Sequence, residues 1–392
     1  MYGTVSRSVA VTWDDELVAY DFGPQHPLKP IRVKLTVELA RAYGLFERDN
    51  VSLVKPRSAS REELELVHVP GYIDAVMAIS ETAGHPYADY GWGIGIGDNP
   101  AFRGMHDASA LVAGASLVAA EQITSGAAEH AFNPAGGLHH AMPDRASGFC
   151  IYDDPAIAIR RLVTQGERVV YIDVDVHHGD GPQFIFYDDP NVMTISLHES
   201  GEYLFPGTGY PDEIGRGEAE GTKVNVALPP LTDHDGYRAA FERVVPPLVE
   251  SFKPSILVTQ LGCDTHATDP LAHLALVTQT YRWLASTLHD LAHRVTGGRW
   301  LALGGGGYQI YTVVPRAWTI YTAEIAGAEL DDELPAEWRE LAMSQGAPPE
   351  LPRTLADPPV RAPDNRLEEA RAEAKAAAER TAELVFPHHG VR

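Results

Sequence analysis

One stretch limits what this chain can fold into: Tyr171-Ile172-Asp173-Val174-Asp175-Val176-His177-His178-Gly179-Asp180-Gly181. It continues an apolar run that begins at Val169. Side chains of a strand alternate between its faces, so Asp173, Asp175 and His177 share one face and Val174 and Val176 the other. Two carboxylates and an imidazole on a buried face are costly unless a cation binds them. A divalent metal is such a cation. Asp and His suit zinc, and a catalytic zinc takes three protein ligands plus an open position. The same donors accept iron(II) or cobalt.

A further ligand is expected from another strand end. The run Ile256–Leu261 leads into Gly262-Cys263-Asp264-Thr265, which places Asp264 as Asp175 is placed. Alone, such an Asp is more often a helix N-cap. Beside the first segment it reads as a metal ligand. Val169–Val176, Val192–Leu197, Ile256–Leu261 and Trp300–Leu303 are short, apolar and not alternating, which predicts a parallel sheet covered on both faces. Helical patterns lie between, at Ala108–Gln122, Tyr237–Ser251 and Thr278–Ala292, so the class is α/β built of βαβ units. Such sheets bind ligands at the carboxyl ends of their strands.

Two more segments are candidates for the same cleft, one after a Gly-Gly turn and one at a strand end. Gly136-Gly137-Leu138-His139-His140 can turn two imidazoles into one cleft, and histidine is the usual acid and base near neutrality. Gly304-Gly305-Gly306-Gly307-Tyr308 follows Trp300–Leu303. Its glycines permit a close approach of backbone to ligand, and its tyrosine can donate to an oxyanion. It lacks the Lys-Ser/Thr of a phosphate loop.

The C-terminal part differs in kind. Gly346–Pro363 is proline-rich and expected to be extended, and Arg366–Leu384 is expected to be helical. We therefore expect a catalytic domain over 1–345, with 346–392 a strap and helix packed on it. Pro387-His388-His389 reads as a frayed end. Charge excludes a nucleic-acid binder: 31 Lys and Arg against 54 Asp and Glu leave −23. No apolar run approaches the ~20 residues of a membrane span. Cys150 and Cys263 are too few for a disulfide scaffold and fit a reducing, cytoplasmic setting.

Together these segments resemble the zinc-dependent histone deacetylase family, in particular its bacterial acetoin-utilisation, class I-like members. The carrying stretches are Gly-Gly-Leu-His-His-Ala at 136–141, Ser147-Gly148-Phe149-Cys150, Asp-Val-Asp-Val-His-His-Gly-Asp-Gly at 173–181, Ser196-Leu197-His198, Phe205-Pro206-Gly207-Thr208-Gly209, Gln260-Leu261-Gly262-Cys263-Asp264-Thr265 and Gly-Gly-Gly-Gly-Tyr at 304–308. They run in the family's order from about Val11 to about Ile325.

The resemblance implies one arginase/deacetylase domain with a central, mostly parallel eight-stranded sheet and helices on both faces. It implies NAD-independent, metal-dependent hydrolysis of N6-acetyl-lysine in a protein substrate, an acetylated metabolic enzyme such as acetyl-CoA synthetase rather than histones. Asp175, His177 and Asp264 would hold zinc, or iron(II) or cobalt. His139 and His140 would be the catalytic pair, with Asp173 and Asp180 as their partners, and Tyr308 would bind the carbonyl oxygen. Gly148, Phe149, Phe205 and Leu271 would line the acyl-lysine slot, with Asp98 at its rim. Structural K+ or Na+ would sit at Asp173, Asp175, His177, Ser196 and Leu197, and again at Phe186, Asp189, Val192 and Thr222.

Two positions depart from the pattern. Cys263 stands where relatives often carry alanine or glycine, and Thr222 where they often carry tyrosine. Three other readings compete. Acetylpolyamine deacetylation would want an acid at the rim, where Leu271 aligns. An arginase-like ureohydrolase needs a second metal and an Asp-Ala-His-x-Asp segment, which is missing. A non-catalytic binding protein would not need every catalytic residue.

Overall fold

The structure is a computed structural model that describes residues 8–83, 88–358 and 364–392. Eight strands form one sheet: β1 (Val9–Thr12), β2 (Val51–Val54), β3 (His130–Asn133), β4 (Val169–Asp173), β5 (Val192–Glu199), β6 (Lys223–Leu228), β7 (Ile256–Gln260) and β8 (Trp300–Leu303). Their order is β2-β1-β3-β8-β7-β4-β5-β6, and every pairing is parallel.

Both faces are apolar, as the non-alternating runs require. Val169, Tyr171, Val258 and Leu301 share one core cluster with Ala119, Ile123, Ile159 and Leu162 of the helices Met105–Thr124 and Asp154–Thr164. The alternate residues Val170, Ile172, Leu257 and Trp300 belong to the other cluster. There they join Val244, Leu248, Leu284, Leu288 and Trp318 of the helices His234–Phe252, Thr278–Thr296 and Val314–Ala326. The order places β3, β8, β7 and β4 side by side at the middle of the sheet. The four segments singled out above leave these four strands, so the topology alone gathers them.

The expected strand over Val169–Val176 is too long. It stops at Asp173. There the Asp173 carboxylate accepts the backbone N–H of Asp175 (3.1 Å), and Asp175 in turn accepts that of His177 (3.0 Å). Such side-chain turns compete with the sheet ladder. The two residues project from successive bends, and the shared strand face expected of Asp173, Asp175 and His177 does not exist.

The C-terminal helix spans Asp364–His389, longer than expected. Ala374, Ala378, Ala382, Val385 and Phe386 bury a stripe. Arg371 grips Asp233 (2.6 Å), Arg243 meets Glu379 (3.0 Å), and Thr381 donates to the carbonyl of Asn225 on β6 (2.6 Å). The histidines near its end are not frayed: the His389 ring donates to the carbonyl of Gly221 (2.7 Å). Before the helix, 346–358 form no helix or strand, as expected of the strap, while Pro359–Pro363 lie outside the described residues.

Asp357 ties this strap to the body. Its carboxylate accepts from Arg316 (2.8 Å), from His266 (2.9 Å) and from the N–H of Thr278, the first residue of its helix (2.8 Å). Arg316 is buried. Asp357→Ala strands that guanidinium and is expected to cost roughly 3–5 kcal/mol. A urea midpoint that falls with an unchanged slope is the check, and an unmoved midpoint would refute it.

Candidate active site

The loop after β3 is built to present two rings. The buried Asp154 carboxylate accepts the N–H groups of Gly137 (3.1 Å) and Leu138 (2.8 Å) and the Ser116 hydroxyl (2.5 Å). His139 and His140 follow, both buried. Nδ1–H of His139 donates to Asp173 (2.7 Å), and Nδ1–H of His140 donates to Asp180 (2.6 Å). Both Nε2 atoms are then free of those partners, and they lie 3.1 Å apart. Two lone pairs cannot face each other at that distance, so the dyad shares a proton. Burial works against charge on His139, but Asp173 and Asp175 outweigh it and raise its pKa to about 10. Burial and the neighbouring His139 push His140 down to about 4. His139 holds the proton and His140 keeps a lone pair.

Beside the dyad lie Asp175, His177 and Asp264, all buried, each with a donor atom within 4.8 Å of the others'. His177 Nδ1 is 3.1 Å from Asp175 Oδ1 and 3.2 Å from Asp264 Oδ2. Burial, then the Asp175 charge, pushes Asp264 up to about 7. Two buried carboxylates this close call for a cation. The cradle is also backbone-lined: a Cβ on Gly306 would come within 2.0 Å of Asp264 Oδ2 and 2.7 Å of Asp175 Oδ2. These residues fit a divalent ion.

A narrow pocket leads to the dyad, lined by Leu28, Gly148, Phe149 and Tyr308 among others. The rings of Phe149 and Tyr308 meet edge to face at 5.7 Å. Burial, with Asp264 and Asp175 adding, pushes the Tyr308 phenol well up, so its hydroxyl stays a donor. Gly148 has φ +51° and lies on the His140 ring, where a Cβ would reach 2.4 Å. Phe205 is half exposed and packs edge-on to His140 at 5.0 Å. Asp98 is exposed; its carbonyl accepts from His26, whose ring packs on Phe149 at 4.5 Å. Leu271 stands off the pocket lining. Its N–H binds Asp269 (3.0 Å), which also accepts the N–H of Tyr308 (2.8 Å).

Several supporting residues have no role assigned from the sequence, two of them inside the quoted stretches. Gln260 donates to Asp175 (2.6 Å), and Tyr171 donates to Asp173 (2.8 Å). Arg32 is buried and donates to the carbonyl of Gly307 (3.1 Å). Strand-end position could have flagged Gln260, while nothing local marks Arg32.

The two expected monovalent sites fare differently. Asp173 and Ser196 pair across β4 and β5, so the first set is gathered. The second set does not fit an added ion. The fully buried Lys223 puts its ammonium on the carbonyl of Val192 (2.5 Å) and the hydroxyl of Thr222 (2.9 Å). Arg160 holds the Asp189 carboxylate (2.9 Å). The chain's own cations take those donors, because the side chain of Lys223, first in β6, reaches the start of β5.

Residues 26–325 match the histone deacetylase domain. The chain is 44% identical over 342 residues to the acetoin utilization protein AcuC of Bacillus subtilis (strain 168), covering 86% of this chain and 87% of that one. It is 40% identical over 331 residues to AcuC of Staphylococcus aureus (strain MRSA252), covering 84% and 85%. Among solved structures it superposes on an HDAC homolog from Aquifex aeolicus with a TM-score of 0.81 at 33% identity, covering 94% of this chain and all of that one. An HDAC homolog complexed with SAHA gives the same TM-score at 32% identity.

Proposed function

Because the chain belongs to the histone deacetylase family, we propose that it hydrolyses the acetyl amide of N6-acetyl-lysine in a protein, releasing acetate without NAD. One observation carries this reading: the His139–His140 dyad, Asp175, His177 and Tyr308 line one narrow pocket, with Asp264 grouped behind Asp175 and His177. Phe149 lines this pocket, and Phe205, which lines the neighbouring one, packs on His140 from the other side; between the two rings we place the extended, uncharged acyl-lysine stem.

Asp175, His177 and Asp264 would hold the divalent ion, zinc by the family's habit. When bound, such an ion polarises the acyl carbonyl and acidifies water. His140, neutral, takes a proton from the attacking water. Tyr308 donates to the carbonyl oxygen as it becomes an oxyanion. Asp173 and Asp180 hold the two rings in register and keep the dyad's proton available. That proton passes to the lysine nitrogen as the C–N bond breaks, so acetate and a free amine leave.

Asp98 would meet the substrate backbone at the rim, its own carbonyl held by His26, which packs on Phe149. Asp173, Asp175, His177, Ser196 and Leu197 would carry one structural K+ or Na+. The AcuC relatives are named for acetoin utilization; we propose an acetylated metabolic enzyme, such as acetyl-CoA synthetase, as the substrate. Two buried free thiols, Cys150 and Cys263, support a reducing, cytoplasmic setting. Among the described residues no helix is long and apolar enough to cross a membrane. The division into 1–345 and a packed 346–392 belongs to the same reading.

The test is acetate release from an acetyl-lysine peptide without NAD, with and without a chelator. Chelator-sensitive release is expected, and restored by added zinc. No release from metal-replete protein would sink the reading. Turnover of acetylated acetyl-CoA synthetase against an acetylated histone peptide then ranks the substrates.

A further inference from the structure

We propose that His130, His289 and His293 form a second divalent-metal site, at the end of the sheet opposite the dyad. His130 opens β3, whose far end leads to His139. His289 and His293 are one turn apart on the helix Thr278–Thr296, which feeds β8. The three imidazoles meet tip to tip. His289 Nε2 is 3.2 Å from His130 Nε2 and 3.1 Å from His293 Nε2. A tetrahedral ion with Zn–N bonds of 2.0–2.1 Å would hold its nitrogens about 3.3 Å apart. The observed spacing is that of a coordination shell.

The tautomer of the central ring agrees. His289 Nδ1 lies 2.9 Å from Glu324 Oε1. A carboxylate only accepts, so Nδ1 carries a proton, and Nε2 is the atom that points at the other two nitrogens. A carboxylate behind a ligand histidine is the usual support of a metal imidazole. His130 and His289 are buried, and His293 is partly exposed, so solvent reaches one side and can supply a fourth ligand. Trp300 packs against both buried rings, at 6.0 and 6.1 Å between centroids, and limits their rotation. Three imidazoles select zinc, cobalt, nickel or copper over magnesium or calcium. With β3 on one side and the helix on the other, the ion would clamp the two together. It would serve the fold, apart from the reaction.

The test uses untagged full-length protein, stripped with chelator and titrated with Co2+. Wild type is expected to bind two ions per chain. His293→Ala, at the partly exposed position, is expected to bind one and to keep its acetate release once loaded. In Asp264→Ala, one ion is expected to remain, and it should raise the melting temperature. That rise should vanish in the Asp264→Ala, His293→Ala double variant. A wild type that binds one ion, or a His293→Ala protein that still binds two, would overturn the site. Neither result touches the deacetylase reading, whose failure shows as absent acetate release instead.

Discussion

Asp264→Ala is expected to abolish acetate release. The loss should exceed the 10- to 100-fold typical of residues that merely orient a metal ligand. Asp264 does three things at once. It faces His177 at 3.2 Å, it accepts the N–H of Val176 (2.8 Å), and it supplies the carboxylate beneath Gly306. Removing it leaves Asp175 and His177 as a pair, too few for a catalytic zinc site. The variant should also lose the ion held at this cluster, read by metal analysis on folded protein with a native circular dichroism spectrum. Turnover near wild type in a variant shown to lack that ion would take the ion out of the reaction.

Tyr308→Phe is expected to act differently. Its hydroxyl touches no proposed ligand's role, so metal content should stay at the wild-type level. Turnover should fall by about 10²–10³, the cost of deleting one donor to a developing oxyanion. The loss should appear mainly in kcat, with KM little changed, because the interaction strengthens only as charge builds on oxygen. The Asp269 bond to the Tyr308 backbone N–H keeps the Gly-rich loop in place without the hydroxyl. A variant with unchanged kcat would remove Tyr308 from the mechanism.

Much of this site was legible because its residues cluster in sequence at strand ends. Asp175 with His177, Asp264 and Tyr308 each follow an apolar run, His139 with His140 follow a Gly-Gly turn, and parallel topology does the rest. Periodicity misplaces Asp173. A strand period put it on one face with Asp175 and His177, but the strand ends at Asp173 itself, through hydrogen bonds from its own side chain. Local side-chain turns of this kind leave no mark on hydrophobic periodicity. Lys223 escaped for a related reason. A lysine opening a strand ordinarily reaches solvent, and only the start of β5 lying beside it turns the ammonium inward. His130 and the pair His289 and His293 are far apart in the chain, and an i,i+4 histidine pair on a helix is unremarkable until a third ring arrives.

The C-terminal helix has a consequence in time as well as in space. It covers β6, the last strand of the sheet, through a bond from Thr381 to Asn225, 156 residues earlier. An uncovered strand edge is a template for pairing with other chains. At a synthesis rate of about 5–20 residues per second, that edge waits roughly 8–30 s on the ribosome for its cover. The interval belongs to every new copy of the chain, and a nascent chain cut short before Thr381 would never leave it.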